Sequence, residues 1–323
     1  MDILYFLIQQ TLLFMIPLLI TALGGMFSER SGIVNIALEG IMVMGAFTSI
    51  LFLNLTQGFM SGNGQLLIAI LIAIGTGILF SVFHAIASVN LKADQTISGT
   101  ALNMFAPAFA IFVARIIQNV QQINFNNTFR IVEIPVLSKI PIIGDMFFKN
   151  TYITTYIGFI VLILSAIVLY KTKFGLRLRA CGENPQAANA AGIKVEKMQY
   201  AGVLISGALA GLGGLVFVVP TSTNFNATVS GYGFLAVAVL IFGQWKPKYI
   251  LFAAFFFGFM KALSNSYVNI PALFSLSTMY PKIQWSYIYK MVPYIATILA
   301  LIFTSKNSSA PKASGIPFDP MQR

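Results

Sequence analysis

KTKFGLRLRACGENPQAANAAGIKVEKMQ, residues 171–199, is the longest polar interval in an otherwise apolar chain. Lys171, Lys173, Arg177, Arg179, Lys194 and Lys197 make it basic, opposed only by Glu183 and Glu196. Within it the spacing predicts a short helix with both ends marked. Asn184 can cap through its side chain, Pro185 suits the first helical position, PQAANAA gives about two turns, and Gly192 can take the left-handed stop. A helix of about 10 Å does not hold by itself in water, so it needs a surface. At this point two remain open: the membrane, with the helix lying on it, or another protein.

On both sides of this interval the sequence is oily. Hydrophobic residues make up 57% of the 323, charged residues 9%, and the mean hydropathy is +0.82. Soluble domains carry nearer a quarter charged residues, so the fold class is an all-α polytopic integral membrane protein. The net charge of +11 does not point to nucleic acid. Most Lys and Arg sit in short loops between apolar runs, which is a topology signal and not a phosphate-binding face. Cys181 is the single cysteine, which excludes an internal disulfide and a multi-cysteine metal site.

A span takes about 17 to 25 apolar residues. Runs that qualify lie at 3–23, 33–53, 65–89, 97–117, 151–170, 200–219, 249–266 and 286–304. The run 232–244 is too short to cross comfortably and reads as a broken or tilted helix, a form that often lines transport sites. The expectation is about nine membrane segments, with eight or ten as neighbours. The first run is read as a span and not a cleaved signal, since Asp2 stands where a basic region belongs. Strict alternation puts Arg30, Lys92, the 171–199 loop, Lys246, Lys248 and the basic tail on one side. Only Arg130, Lys139, Lys149 and Lys282 oppose them. The richer side is expected to be cytoplasmic, leaving the N-terminus outside and the C-terminus inside. The organisation expected is one permease domain over 1–304 and a disordered tail over 305–323.

Enzyme signatures are scarce. His84 is the only histidine, and no GxxxxGK[ST] phosphate loop occurs. No nucleophile–base pair or metal constellation stands out, and no cofactor is implied. SGALAGLGG, residues 206–214, resembles a nucleotide loop only superficially. It lies inside a span and follows no strand, so close helix packing through small residues explains it. Polar residues within spans are costly unless they are paired or face a cavity. Asn35 and Glu39, four apart and so on one helix face, are candidates for a translocation path, together with Asn103. The alternative is that Glu39 satisfies a helix end. Lys261 and Lys290 either line such a path or extend to an interface, and His84 reads as a packing residue.

Four stretches carry a family resemblance: SERSGIVNIALEG (28–40), ADQTISGTALN (93–103), IPVLSKIPIIGDMFF (134–148) and FGLRLRACGENPQAANAAGI (174–193). Together they resemble the permease subunits of nucleoside-type ABC importers, within the branched-chain amino acid and ribose permease superfamily. The likeness covers nearly the whole chain, and Cys181 replaces the small residue or valine commonest there. The resemblance implies a multi-pass cell-membrane protein that is not itself an enzyme. A separate cytoplasmic ABC ATPase supplies energy, a second permease, identical or related, completes the path, and an extracellular substrate-binding lipoprotein delivers cargo. It implies that 184–192 is the coupling helix, with Asn184, Pro185, Ala187, Ala188 and Gly192 building it and Arg177 and Arg179 flanking it. The expected cargo is a nucleoside of purine type; a pentose or branched-chain amino acid is the near alternative, and an ion-coupled secondary transporter the more distant one.

Overall fold

The computed structural model describes residues 2–135, 137–266 and 309–319, with a few further positions from 285 to 298. In chain order come α1 (Asp2–Glu29), α2 (Leu38–Thr56), α3 (Asn63–Ala85), continued by a π turn at Ile86–Asn90, and α4 (Gln95–Gln118). A polar excursion holds β1 (Ile123–Asn124), β2 (Arg130–Glu133), the short α5 (Ile143–Phe147) and β3 (Lys149–Tyr152). Then follow α6 (Ile153–Lys171), α7 (Lys173–Glu183), α8 (Pro185–Ala190), α9 (Val195–Thr221), β4 (Asn224–Phe225), α10 (Tyr232–Phe242) and α11 (Pro247–Ser266). Seven of the described helices are long and apolar enough to cross a membrane: α1, α2, α3 with its π turn, α4, α6, α9 and α11. The expected span at 286–304, including Lys290, falls largely outside the described residues.

α9 is the axis of the bundle, and its small residues explain why. A Cβ on Gly211 would stand 2.3 Å from the Ala73 carbonyl oxygen, and one on Gly214 would stand 2.0 Å from that of Met42. The backbones of α3 and α2 therefore lie directly on α9, as small-residue helix packing allows. On its other side α9 meets α1, where Gly213 faces Thr21 and Ser206 faces Gly24. The outward faces of α3, α4 and α6 keep Leu71, Leu79, Phe112 and Ile163 exposed, as lipid contact requires.

The fold is mostly helical, in keeping with an all-α polytopic membrane protein, and two small sheets accompany the helices. β1 pairs antiparallel with β4, Ile123 opposite Phe225, and β2 pairs with β3, Arg130 opposite Tyr152. These small sheets give the polar excursion backbone partners that composition does not reveal. The second span starts at Leu38 and not at 33, because residues 30–37 turn and run extended. Residues 171–184 are not plain loop: α7 forms there, burying Gly175, Leu178 and Cys181 on one face.

The tail is not disordered over residues 309–319. It lies as a strap across the basic end of the bundle. Ser309 N–H donates to Gln244 Oε1 (2.7 Å), Ala313 N–H to the Gly182 carbonyl (2.9 Å), and Gly315 N–H to that of Gly32 (3.0 Å). Phe318 is buried with Cys181, Ala188 and Val195, and Lys92 pairs with Asp319 at 3.5 Å. One aromatic anchor and several backbone bonds hold a segment whose Lys, Ser and Pro content reads as unstructured.

Candidate coupling face and membrane cavity

The basic end of the bundle presents α7 and α8. Asn184 Oδ1 accepts from Ala187 N–H at 3.0 Å, Pro185 opens the helix, and Gly192 turns the chain at φ 80°. The local caps therefore form as the residue types dictate. Asn184, Ala187 and Gly192 are exposed, as is Arg177; Pro185 is half-buried. Two of the expected residues face inward. Ala188 is 4% exposed and packs beneath Phe318, and Arg179 lies over the Tyr170 ring at 5.0 Å. They shape the face from within. Beside α8 an open groove of about 680 Å³ is lined by Leu176, Arg177, Ala180, Ile193, Lys194 and Met198, an apolar floor with a basic rim. Cys181 is buried under the strap, and that burial pushes its thiol pKa up to about 11.

One of the ties between this face and the bundle runs through Arg30. Arg30, buried at the end of α1, donates through Nη1 to Glu183 Oε1 (3.4 Å) and through Nη2 to the Trp245 carbonyl (3.1 Å). Its neighbour Glu29 accepts from Trp245 Nε1–H at 2.6 Å. The turn so held is unusual. Gln244 and Trp245 are both left-handed, at φ 48° and 53°, a conformation costing side-chain-bearing residues about 1–2 kcal/mol each. The side chains of Glu29 and Arg30 hold it there.

From that turn α10 runs back into the bundle. Its eleven residues cover about 16 Å, roughly half the hydrocarbon thickness, so its N-terminus ends deep within the bundle. There Glu39 meets it. Gly231 N–H donates to Oε1 at 2.9 Å and Gly233 N–H to Oε2 at 2.6 Å. The carboxylate of one helix thereby caps the start of another, where the helix dipole favours negative charge. Gly233 is needed for this approach: a Cβ there would stand 2.4 Å from the Glu39 backbone.

Asn35 and Asn103 do similar work on the broken segment before α2. Asn35 is not helical, so it shares no helix face with Glu39. It donates to Ser206 Oγ (2.9 Å) and accepts from Ala37 N–H (3.1 Å). Asn103 donates to the Ile36 carbonyl (2.8 Å) and accepts from Gly40 N–H (2.7 Å). Gln95 and His84 take the backbone groups of Val34, at 2.7 and 2.9 Å. Non-helical backbone survives at membrane depth only when protein satisfies it, and these side chains do so. All three expected path residues thus hydrogen-bond to or within the two broken elements, Asn35 also reaching Ser206 of α9, and His84 packs as its sequence context suggests.

Beyond the Glu39 cap, toward the opposite end of the bundle, opens a cavity of about 480 Å³. Amides of Gln10, Asn224 and Asn265, the Lys261 side chain and the rings of Phe14 and Phe217 are among its walls. Lys261 Nζ stands 5.9 Å from the Tyr232 ring centroid, and that ring packs on Phe217 at 4.1 Å. Of these residues only Lys261 stood out in the sequence, as a charge inside a span. The rest are common polar and aromatic types, from positions 10 to 265, without any local pattern.

The chain matches, over residues 7–317, the family described as branched-chain amino acid transport system / permease component. It is 43% identical to the guanosine ABC transporter permease protein NupQ of Bacillus subtilis, over 98% of this chain and 97% of that one. It is 42% identical to the nucleoside ABC transporter permease protein NupC of Lactococcus lactis, over 96% of each. A second Lactococcus lactis protein, the nucleoside ABC transporter permease protein NupB, is 28% identical over 81% of this chain and 73% of its own length. No solved structure matches.

Proposed function

The chain belongs to the branched-chain amino acid transport system permease family, and on that premise we propose that it is the membrane subunit of an ATP-driven nucleoside importer. The observation that carries this reading is the near full-length likeness to two nucleoside permeases, at 43% and 42% identity. Permeases of this family are not enzymes, so the energy comes from a separate ATPase. The basic end of the bundle is cytoplasmic, in keeping with its lysines and arginines, and the cavity opens outward toward a substrate-binding protein. The second permease is a divergent relative and not an identical copy. Lactococcus lactis holds two nucleoside permeases, and this chain resembles NupC far more than NupB.

The geometry supports a coupling route. The exposed side of α8, with the groove beside it, receives the ATPase. ATPase closure displaces α7 and α8; Glu183 and Arg30 pass this to the Trp245 turn; and α10, a rigid rod, carries it to the Glu39 cap beneath the cavity. Such a transition needs an element with two arrangements, and a short helix held at both ends by polar side chains can be released and recaptured.

Ala187→Arg and Ala190→Arg, both on the exposed side of α8, test the docking step. Each is expected to insert and fold normally yet lose ATPase co-purification and nucleoside uptake. Normal co-purification and uptake by both would remove α8 from the coupling role.

A further inference from the structure

We propose that the 480 Å³ cavity is the subsite that admits the nucleoside, and that Lys261 reads the carbonyl-bearing edge of an oxopurine there. This rests on the nucleoside-importer reading above. The volume lies within the range of about 300–1,000 Å³ usual for small-molecule sites. The chemistry of the walls narrows the occupant. Lys261 brings a cation, and the described lining residues include no Asp or Glu. An amino-acid zwitterion would find a partner for its carboxylate but none for its ammonium. A pentose offers no flat π face to the rings of Phe14 and Phe217 that stand in the wall. A nucleoside uses the whole surface: flat faces for the base, amides and hydroxyls such as Thr221 and Ser222 for base edge and ribose.

Lys261 adds a direction to that selectivity. Its ammonium group donates and never accepts. Guanine presents two adjacent acceptors, O6 and N7, to which lysine is a standard partner, whereas adenine replaces O6 with an amino donor. Hypoxanthine shares the O6/N7 edge. The position is held in place from below: Tyr232, which Lys261 faces, is the first residue of α10, flanked by the two glycines bound to Glu39. Movement of α10 therefore moves the ring that the lysine faces.

The test uses the complete transporter in proteoliposomes, with one binding protein throughout, and compares guanosine, inosine and adenosine uptake by wild type, Lys261→Gln, Lys261→Arg and Asn265→Leu. Lys261→Gln is expected to lower kcat/KM about tenfold or more for guanosine and inosine and to change adenosine less than threefold. Lys261→Arg restores the oxopurine preference, and Asn265→Leu lowers uptake of all three. An equal loss for all three nucleosides in folded Lys261→Gln, as judged by its elution and ATPase binding, overturns the edge-reading role. Unchanged uptake in both Lys261→Gln and Asn265→Leu overturns the cavity assignment. Misfolding of Lys261→Gln leaves the decision to Asn265→Leu and Lys261→Arg: wild-type rates in the first, or no oxopurine preference in the second, reject the proposal. A wild-type transporter that moves no nucleoside defeats the broader reading, an outcome separable from these.

Discussion

Replacing Glu39 by alanine should release the inner end of α10 and destabilise the permease by about 2–8 kcal/mol. The carboxylate accepts from two backbone N–H groups, of Gly231 and Gly233. Each buried donor left without a partner costs about 1–3 kcal/mol. Loss of negative charge at a helix start adds about 0.3–2 kcal/mol. Glu39→Gln keeps the carbonyl for one N–H and loses the charge and the second acceptor, so about half the effect is expected. The assay is equilibrium unfolding of the purified permease in mixed detergent, with uptake measured alongside. Both variants should lose stability and uptake in the same order, alanine more than glutamine. A Glu39→Ala protein that unfolds within about 0.5 kcal/mol of wild type, the range of an uninvolved surface site, would refute the capping role.

Gly233→Ala should be nearly as damaging as Glu39→Ala, because the added methyl would lie 2.4 Å from the backbone of Glu39; expression and unfolding of the variant check this, and wild-type stability would contradict it. Arg30→Gln should leave ATPase binding intact but uncouple ATP hydrolysis from uptake, since it breaks the contacts to Glu183 and the Trp245 carbonyl; hydrolysis and transport are measured on the same vesicles. Cys181 should label slowly with maleimide near neutral pH, its burial having pushed the thiol pKa up to about 11. Labelling should quicken as pH rises toward that value, and Phe318→Ala should speed it at every pH by uncovering the sulfur.

The membrane class and most spans are legible because bilayer thickness imposes a length and a composition on each segment. The short helix α8 is legible for a different reason: its signals at Asn184, Pro185 and Gly192 act on neighbours within a few residues. The broken segment before α2 is not legible, because Gln95, Asn103 and Ser206, which satisfy it, lie 61 to 171 positions away along the chain. Read alone, Ile33 to Ala37 continues an apolar run. The strap hides in the same way, held by the backbone of Gly32 and Gly182 and by one phenylalanine. Glu39 was visible as a costly charge, but what it caps depends on Gly231 and Gly233, nearly two hundred residues on. The cavity was the least accessible, since its walls come from three separated parts of the chain.

Nucleoside uptake into proteoliposomes, measured with the ATPase present or omitted, tests the central claim most directly. A permease driven through α8 and α10 should accumulate labelled guanosine only with ATP and the ATPase together, and Ala190→Arg should abolish that accumulation. Uptake that persists on an ion gradient with the ATPase omitted would contradict it.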